Sequence, residues 1–369
     1  MRLVIEGVVC GYGSREALRD VTLAVGRGEV LGVLGPNGSG KTTLLRVISR
    51  ALKPWVGAIL LDGREVYSMG EEELAREMAC IPQESTLPFG FKALEVVLMG
   101  RNPHLGRFRW ESKKDFEVAK KAMEEVGAWH LADRRFNELS GGEKQKVIIA
   151  RALCQQPRVL LMDEPTKHLD VSSQIEVMEL VRKLCKREGL TAVMVLHDFN
   201  MASRYCDRLL LLDRGRIAAA GTPEEVLTEE NLRKVFKVRF LVEKHPVANS
   251  IYVIPIPERK PQGEGGLAVH VVCGGGSGSL MMGLLAKAGF KVTVGVVSAL
   301  DSDFNVAKAL RMDAVLEDPF SKISEKKFRE NLSKILSSDA VVVTDFPVGF
   351  GNLRNLESAL EGLKEGKPV

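Results

Sequence analysis

The sequence predicts two α/β domains of unequal size, the first carrying a helical insert. Three observations lead there. Residues 1–240 alternate strand-length apolar runs with helix-like segments, the rhythm of a mostly parallel sheet. Residues 255–266 hold three prolines and three glycines, which is linker composition. Beyond them, from Leu267, a second strand–turn–helix rhythm starts. The 369 residues also exceed what one ordinary core supports. The expected boundaries are 1–240 for the first domain, with 84–155 mainly helical, 241–266 for an extension and linker, and 267–369 for the second domain.

Composition narrows the class. A hydrophobic fraction of 45% with 27% charged residues is that of a soluble globular chain. No stretch approaches the roughly 18 uninterrupted apolar residues of a membrane span. Apolar runs such as Val159–Met162 and Leu209–Leu212 have buried-strand length. Residues 1–6 carry a charge within their apolar stretch and no small-residue cleavage site, so they read as a strand and not as a signal peptide. A net charge of +4, evenly spread and without interleaved aromatics, argues against a nucleic-acid partner. The six cysteines form no C-x-x-C pair, fit neither a disulfide scaffold nor a zinc site, and suggest a reducing cytoplasm.

The elements follow in order. The apolar run Val30–Leu34 leads into Gly35-Pro36-Asn37-Gly38-Ser39-Gly40-Lys41-Thr42, followed by the helical run Thr43–Ile48. This is the G-x-x-x-x-G-K-[ST] loop in its required place between strand and helix. Its glycines let backbone N–H groups wrap a phosphate, and the helix N-terminus adds a fixed positive field. Lys41 is placed for the β/γ-phosphates and Thr42 for Mg²⁺. Asp115–Val126 spaces Phe116, Ala119, Met123 and Val126 as a helix. Leu139-Ser140-Gly141-Gly142-Glu143 opens another helix, a second candidate anion site. Val159–Met162 is a buried strand that delivers Asp163, suited to the metal, and Glu164, suited to act as general base for a water. A further strand, Ala192–Leu196, ends at His197.

Together these residues resemble the nucleotide-binding domain of ABC transporters, a P-loop NTPase fold with a helical subdomain, over residues 1 to about 240. Seven elements occur in that family's order. Tyr12 matches the aromatic that stacks on adenine, Gly35–Thr42 the Walker A loop with Thr43 behind it, and Gln83 the Q-loop glutamine that touches Mg²⁺ and water. Leu139–Glu143 matches the signature, Val159–Glu164 Walker B, Leu169-Asp170 the D-loop, and His197 the switch histidine at the γ-phosphate. The resemblance implies a head-to-tail pair of copies with two ATP at the seam, each between one copy's phosphate loop and the other's Ser140-Gly141-Gly142. It also implies separate membrane permease subunits, an indirect link to an extracellular or periplasmic binding protein, and a peripheral place on the cytoplasmic membrane face. Apolar residues in 87–106 look exposed and suited to permease docking, with core packing as the equal alternative. Met99–Pro103 and Gly221–Thr228 resemble importers of iron–siderophore, haem and vitamin B12. The spacing of about 100 residues from loop to signature excludes the coiled-coil DNA-repair relatives, and a single cassette excludes the translation-factor relatives. A soluble ATPase without a permease is the alternative. Glu143, Lys146 and Lys167-His168 depart from the common pattern at places expected to touch no chemical residue.

The second domain reads as a small Rossmann-like unit. Gly274–Ser279, between the strand Leu267–Cys273 and the helix Ser279–Ala288, approximates the dinucleotide fingerprint, with Asp301 at the distance of a ribose-binding acid. The other reading is a purely structural turn. No base or nucleophile for a corrinoid-processing activity is evident, and the role of the unit stays open between ligand binding, regulation and dimer stabilisation.

Overall fold

The computed structural model describes residues 2–83, 90–105, 110–244, 250–256 and 266–369. They divide into two compact units, Met1–Pro255 and Ile256–Val369.

The larger unit is built on two sheets. One is antiparallel, in the order Arg15–Val25, Leu3–Tyr12, Val56–Leu61, Arg64–Glu65. The other runs Arg216–Gly221, Arg208–Asp213, Val30–Leu34, Thr191–Val195, Val159–Asp163, Met78–Ile81. It is parallel except for its first strand, an antiparallel edge. Its central strands are apolar at nearly every position because both faces are covered, as parallel sheets require. One face packs on the helix Lys41–Ile48 and the antiparallel sheet. The other packs on the helices Gly141–Cys154 and Val171–Glu188, with Lys113–Glu125 stacked on the first of these.

The described residues from 90 to 155 form helices joined by turns, with no strand among them beyond the isolated bridge Lys92–Arg135. Leu87 to Phe89 and Gly106 lie outside the described residues. Of the two readings open for 87–106, the described residues bear out core packing. Ala93, Val96, Val97 and Leu98 are buried in the core of this segment. A Cβ on Gly100 would lie 2.1 Å from the Arg151 carbonyl oxygen, so the chain there lies flat on the helix Gly141–Cys154. Arg101 is buried and donates to Asp115 (2.9 Å), to the Cys154 carbonyl (2.9 Å) and to Gln156 (3.0 Å). Past residue 240 the unit continues into a two-stranded sheet of Arg239–Lys244 and Ile251–Ile256. Asn200 exchanges two bonds with Val253, and Phe199 meets Phe236 and Phe240 edge to face, which fastens this small sheet to the rest of the unit.

The smaller unit is a four-stranded parallel sheet, ordered Asp313–Glu317, Lys291–Ser298, Ala268–Val272, Ala340–Val343. That order reverses at the third strand, as in Rossmann-like folds. Helices Ser279–Ala288 and Ser302–Ala309 cover one face, and Glu325–Ser337 and Leu353–Lys364 the other. Its core holds a complete polar network. Buried His270 receives the Thr293 hydroxyl at Nδ1 (2.8 Å) and donates from Nε2 to Asn331 (3.0 Å). Asn331 donates to Ser358 (2.7 Å), while Asn355 spans the Val296 N–H and C=O. Because every member is satisfied, the network fixes the two helices on the sheet instead of loosening the core.

Candidate functional site

Four consecutive strands of the larger sheet deliver the candidate residues from their carboxyl ends. Val30–Leu34 leads into the glycine loop, Thr191–Val195 to His197, Val159–Asp163 to Asp163 and Glu164, and Met78–Ile81 to Gln83. The carboxyl edge of such a sheet is where ligands bind.

The glycine loop is shaped by contacts that only glycine permits. A Cβ on Gly35 would lie 2.3 Å from the Leu212 carbonyl oxygen, and one on Gly40, at φ +107°, 2.8 Å from that of Ala17. The helix ladder begins with the Leu44 N–H on the Gly40 carbonyl, so the N–H groups of Lys41, Thr42 and Thr43 precede it and face the loop. Lys41 is buried, and its ammonium donates to the carbonyls of Gly35 (2.8 Å) and Pro36 (3.0 Å). Burial pulls its pKa below the ordinary range, against the attraction of Glu164 and Asp163. The loop opens onto a cavity of about 850 Å³, lined by Asn37, Gly38, Gly40, Lys41, Thr42, Thr43 and Glu164.

Three donors converge on Glu164. His197 Nε2 lies 2.6 Å from one carboxylate oxygen, and the Gln83 amide (2.8 Å) and the Lys167 ammonium (3.2 Å) reach the other. Burial pushes this carboxyl up, but the bonds from His197 and Lys167 outweigh it and hold it below its ordinary value. Glu164 also sits at φ +51°, sparsely allowed for a residue with a Cβ, and its N–H is held by the Val195 carbonyl (3.1 Å). Asp163 shows the opposite balance. Burial raises its pKa against the pull of Thr42 and Lys41. Its Oδ1 is buried with no hydrogen-bond partner, and a buried carboxylate oxygen left in that condition calls for a cation. Asp163, Thr42 and Gln83 supply oxygen donors only, the set that suits Mg²⁺.

Ser140 caps the helix Gly141–Cys154 in a reciprocal box with Glu143: its N–H donates to the Glu143 carboxylate (2.8 Å), and its Oγ accepts the Glu143 N–H (3.4 Å). A Cβ on Gly142 would lie 2.4 Å from the Ser173 hydroxyl, which itself donates to Asp170 (2.8 Å). The signature turn and the D-loop are therefore packed as one piece. That piece does not line the cavity at the glycine loop, and Ser140 and Gly141 are exposed.

Two expectations need correction. Lys167 touches Glu164, and Glu143 touches Ser140, although neither was expected to touch a chemical residue. Lys167 is brought back by a turn in which its N–H bonds the Glu164 carbonyl (3.1 Å). Tyr12 is half-exposed, with its hydroxyl accepting from Arg46 (3.1 Å). The aromatic lining the cavity is Trp55, together with Arg15, Arg19 and Arg214, none of which the sequence singled out. They come from loops and strands outside the motifs, and only the fold brings them together.

The glycine turn of the smaller unit differs from the first loop. The Gly275 N–H donates to Asp301 (2.9 Å), the Gly278 N–H to the Asp303 carboxylate (3.1 Å), and the Ser279 hydroxyl to the same group (2.7 Å). Asp303 is fully buried and fills the place that a phosphate takes in a dinucleotide fold.

The ABC transporter family model matches residues 18–167, and a second model, the MJ0874 family, matches residues 292–369. The chain is 37% identical over 325 residues to the cobalamin import ATP-binding protein BtuD of Halobacterium salinarum, covering 88% of this chain and 81% of that one. It is 38% identical to the ferric enterobactin transport ATP-binding protein FepC of Escherichia coli, over 70% of this chain and 96% of that one. Among solved structures it is similar to the dimeric post-hydrolysis state of the cassette MJ0796 bound to ADP and Pi, with a TM-score of 0.53 and 29% identity over 60% of this chain and 98% of that one. With the loop, the carboxylate pair and the signature turn in one fold and a relative matched over most of its length, the chain belongs to the ATP-binding subunits of the ABC transporter family and is an ATPase.

Proposed function

We propose that the chain is the cytoplasmic, membrane-peripheral motor of an importer, working as a head-to-tail pair beneath separate permease subunits that a binding protein supplies with cargo. The observation that carries the reading is the meeting of Gln83, His197 and Glu164 beside the glycine loop, while Ser140 and Gly141 lie exposed, and Gly142 half-buried against Ser173, away from it. A nucleotide in the first place needs a second copy to offer the second. That the similar cassette MJ0796 is dimeric when bound to ADP and Pi supports pairing. Among the described residues no helix is long and apolar enough to cross a membrane, in keeping with a separate permease.

In this reading the loop from Gly35 to Thr43 cradles the phosphates, with Pro36, Asn37, Gly38, Ser39 and Gly40 shaping it and Lys41 moving from its carbonyl partners to the β/γ-oxygens. Tyr12 stacks on adenine. Mg²⁺, held through Thr42, Asp163 and Gln83, supplies charge neutralisation at the β/γ-phosphates. Glu164 accepts the proton of the attacking water at a carboxylate oxygen that Gln83 or His197 vacates. His197 turns from Glu164 toward the γ-phosphate, and Asp170 orders the turn at the seam. Closure follows from ATP touching both copies only in the closed state.

The cargo class is a cobalamin or an iron complex such as a siderophore or haem, as the relatives' names support. Cobalamin is favoured by one observation. The larger unit has only 255 residues, so a 325-residue match must include at least 70 residues of the smaller unit, and that match is to a cobalamin import protein. The test of the chemistry is Glu164→Gln. It should bind ATP, pair in light scattering, and hydrolyse at least about 100-fold more slowly; near-normal turnover would overturn the base assignment. Cargo is tested by ATPase stimulation in the permease complex with cobalamin or ferric siderophore on its binding protein.

A further inference from the structure

Helix Leu353–Lys364, the last of the smaller unit, is amphipathic in reverse. Its buried residues are Asn355, Ser358, Ala359 and Gly362. Gly362 lies so near the neighbouring helix that a Cβ would stand 2.5 Å from Ile335. Its outward face is leucine: Leu353, Leu360 and Leu363 are 44%, 52% and 53% exposed, and Leu356 is half-buried. A helix that ends on solvent turns these faces the other way. The inversion is built in, since Asn355 and Ser358 are committed to the polar network inside.

The leucines recur at intervals of three, four and three, the a/d repeat of a helix that packs on another helix. Such a seam is complementary to itself. Arg354, Glu357, Glu361 and Lys364 flank it with two charges of each sign, so two copies meet without net repulsion. The exposed leucines of two copies would hide on the order of 500 Å², below the roughly 1,200 Å² at which specific interfaces begin. Alone the seam is too small to hold a pair. It becomes effective when something else brings two copies together, because covalent linkage to a pairing module raises the effective concentration to about millimolar.

We propose that the leucine seam of Leu353–Lys364 packs against the same helix of a second copy when two cassettes close on ATP, making the smaller unit a reporter and stabiliser of the closed pair. This rests on the head-to-tail reading above. The occupant is a second copy because the seam is self-complementary, charge-balanced and too small to act untethered.

The test uses the full chain with Glu164→Gln to retain ATP and Cys80→Ser to remove the exposed cysteine, the other five being buried. Leu360→Cys is added, and a bis-maleimide is applied with and without MgATP while light scattering follows pairing. A covalent dimer that appears with MgATP, and falls more than tenfold when Leu353→Glu is added, is the expected result. A pair seen by scattering without the cross-link, or a cross-link indifferent to Leu353→Glu, overturns the seam. If MgATP induces no pair at all, the head-to-tail reading fails on its own. Cross-linking near 1 mM chain without nucleotide then decides the seam: a Leu353→Glu-sensitive dimer keeps it, and no dimer removes it.

Discussion

Replacing Arg101 by Met should cost more than replacing any surface cation of the chain, because the guanidinium is buried and makes three hydrogen bonds. It pairs with Asp115 and also ties the end of the signature helix through the Cys154 carbonyl and Gln156. Removing one partner of a buried pair strands the other, and such losses run to about 3–5 kcal/mol. Asp115 softens this, since Ser112 gives it two further bonds, from its N–H (2.9 Å) and its hydroxyl (2.6 Å). The lower end, about 3 kcal/mol, is therefore expected, a fall of roughly 6–12 °C in the melting of the larger unit at about 2–4 °C per kcal/mol. The assay is calorimetry of Arg101→Met, Asp115→Leu and the double variant. The pair should show coupling, with the double variant closer to wild type than the summed losses. ATPase should drop further than ATP affinity, because Arg101 secures the helix that presents Ser140 and not the glycine loop. A melting shift under about 2 °C, or strict additivity, would refute the reasoning.

Other outcomes follow from the same geometry. Gly40→Ala should weaken ATP binding by more than about tenfold in a fluorescent-nucleotide titration, since its Cβ would meet the Ala17 carbonyl at 2.8 Å in a left-handed backbone. His270 is buried, which drives its pKa down to about 4. The unfolded chain therefore takes up the proton first, and the smaller unit should lose stability as pH falls from about 6.5 to 4, by roughly 3 kcal/mol in all. Hydrogen exchange of the full chain against pH reads this, and a pH-independent opening energy for residues 268–272 would contradict it.

How much of this was legible in the sequence depended on distance along the chain. The glycine loop, the Asp163-Glu164 pair and the signature are local: each is a strand end or helix start whose residues are sequence neighbours, so pattern and chemistry coincide. Two stretches noticed only as resemblances prove to have local jobs. Thr222 caps the short helix Pro223–Val226 in a box with Glu225, and Gly100-Arg101 lies against the signature helix. What the sequence did not disclose was non-local or depended on orientation. Trp55 and Arg214 reach the cavity only through the sheet order. For Val96 and Val97 exposure and core packing stayed equally open, because no periodicity tells which neighbour a short helix meets.

The two glycine turns show why a motif is less informative than its unspent hydrogen bonds. Both follow a parallel strand and open a helix, and both bend through positive φ, at Gly38 and Gly40 in one and at Gly275 and Gly276 in the other. In the first, the helix N–H groups precede the ladder and the nearest side chain is a cation, Lys41, parked on carbonyls that a phosphate can displace. In the second, the helix start is already neutralised by Asp303 and the turn by Asp301. A phosphate arriving there would have to evict a buried carboxylate and then face it, which costs on both counts. The larger unit keeps its anion site open with a loop whose turns glycine alone permits, while the smaller unit closes its own from within. A search for the smaller unit's role is thus better directed to its outward leucines than to a nucleotide.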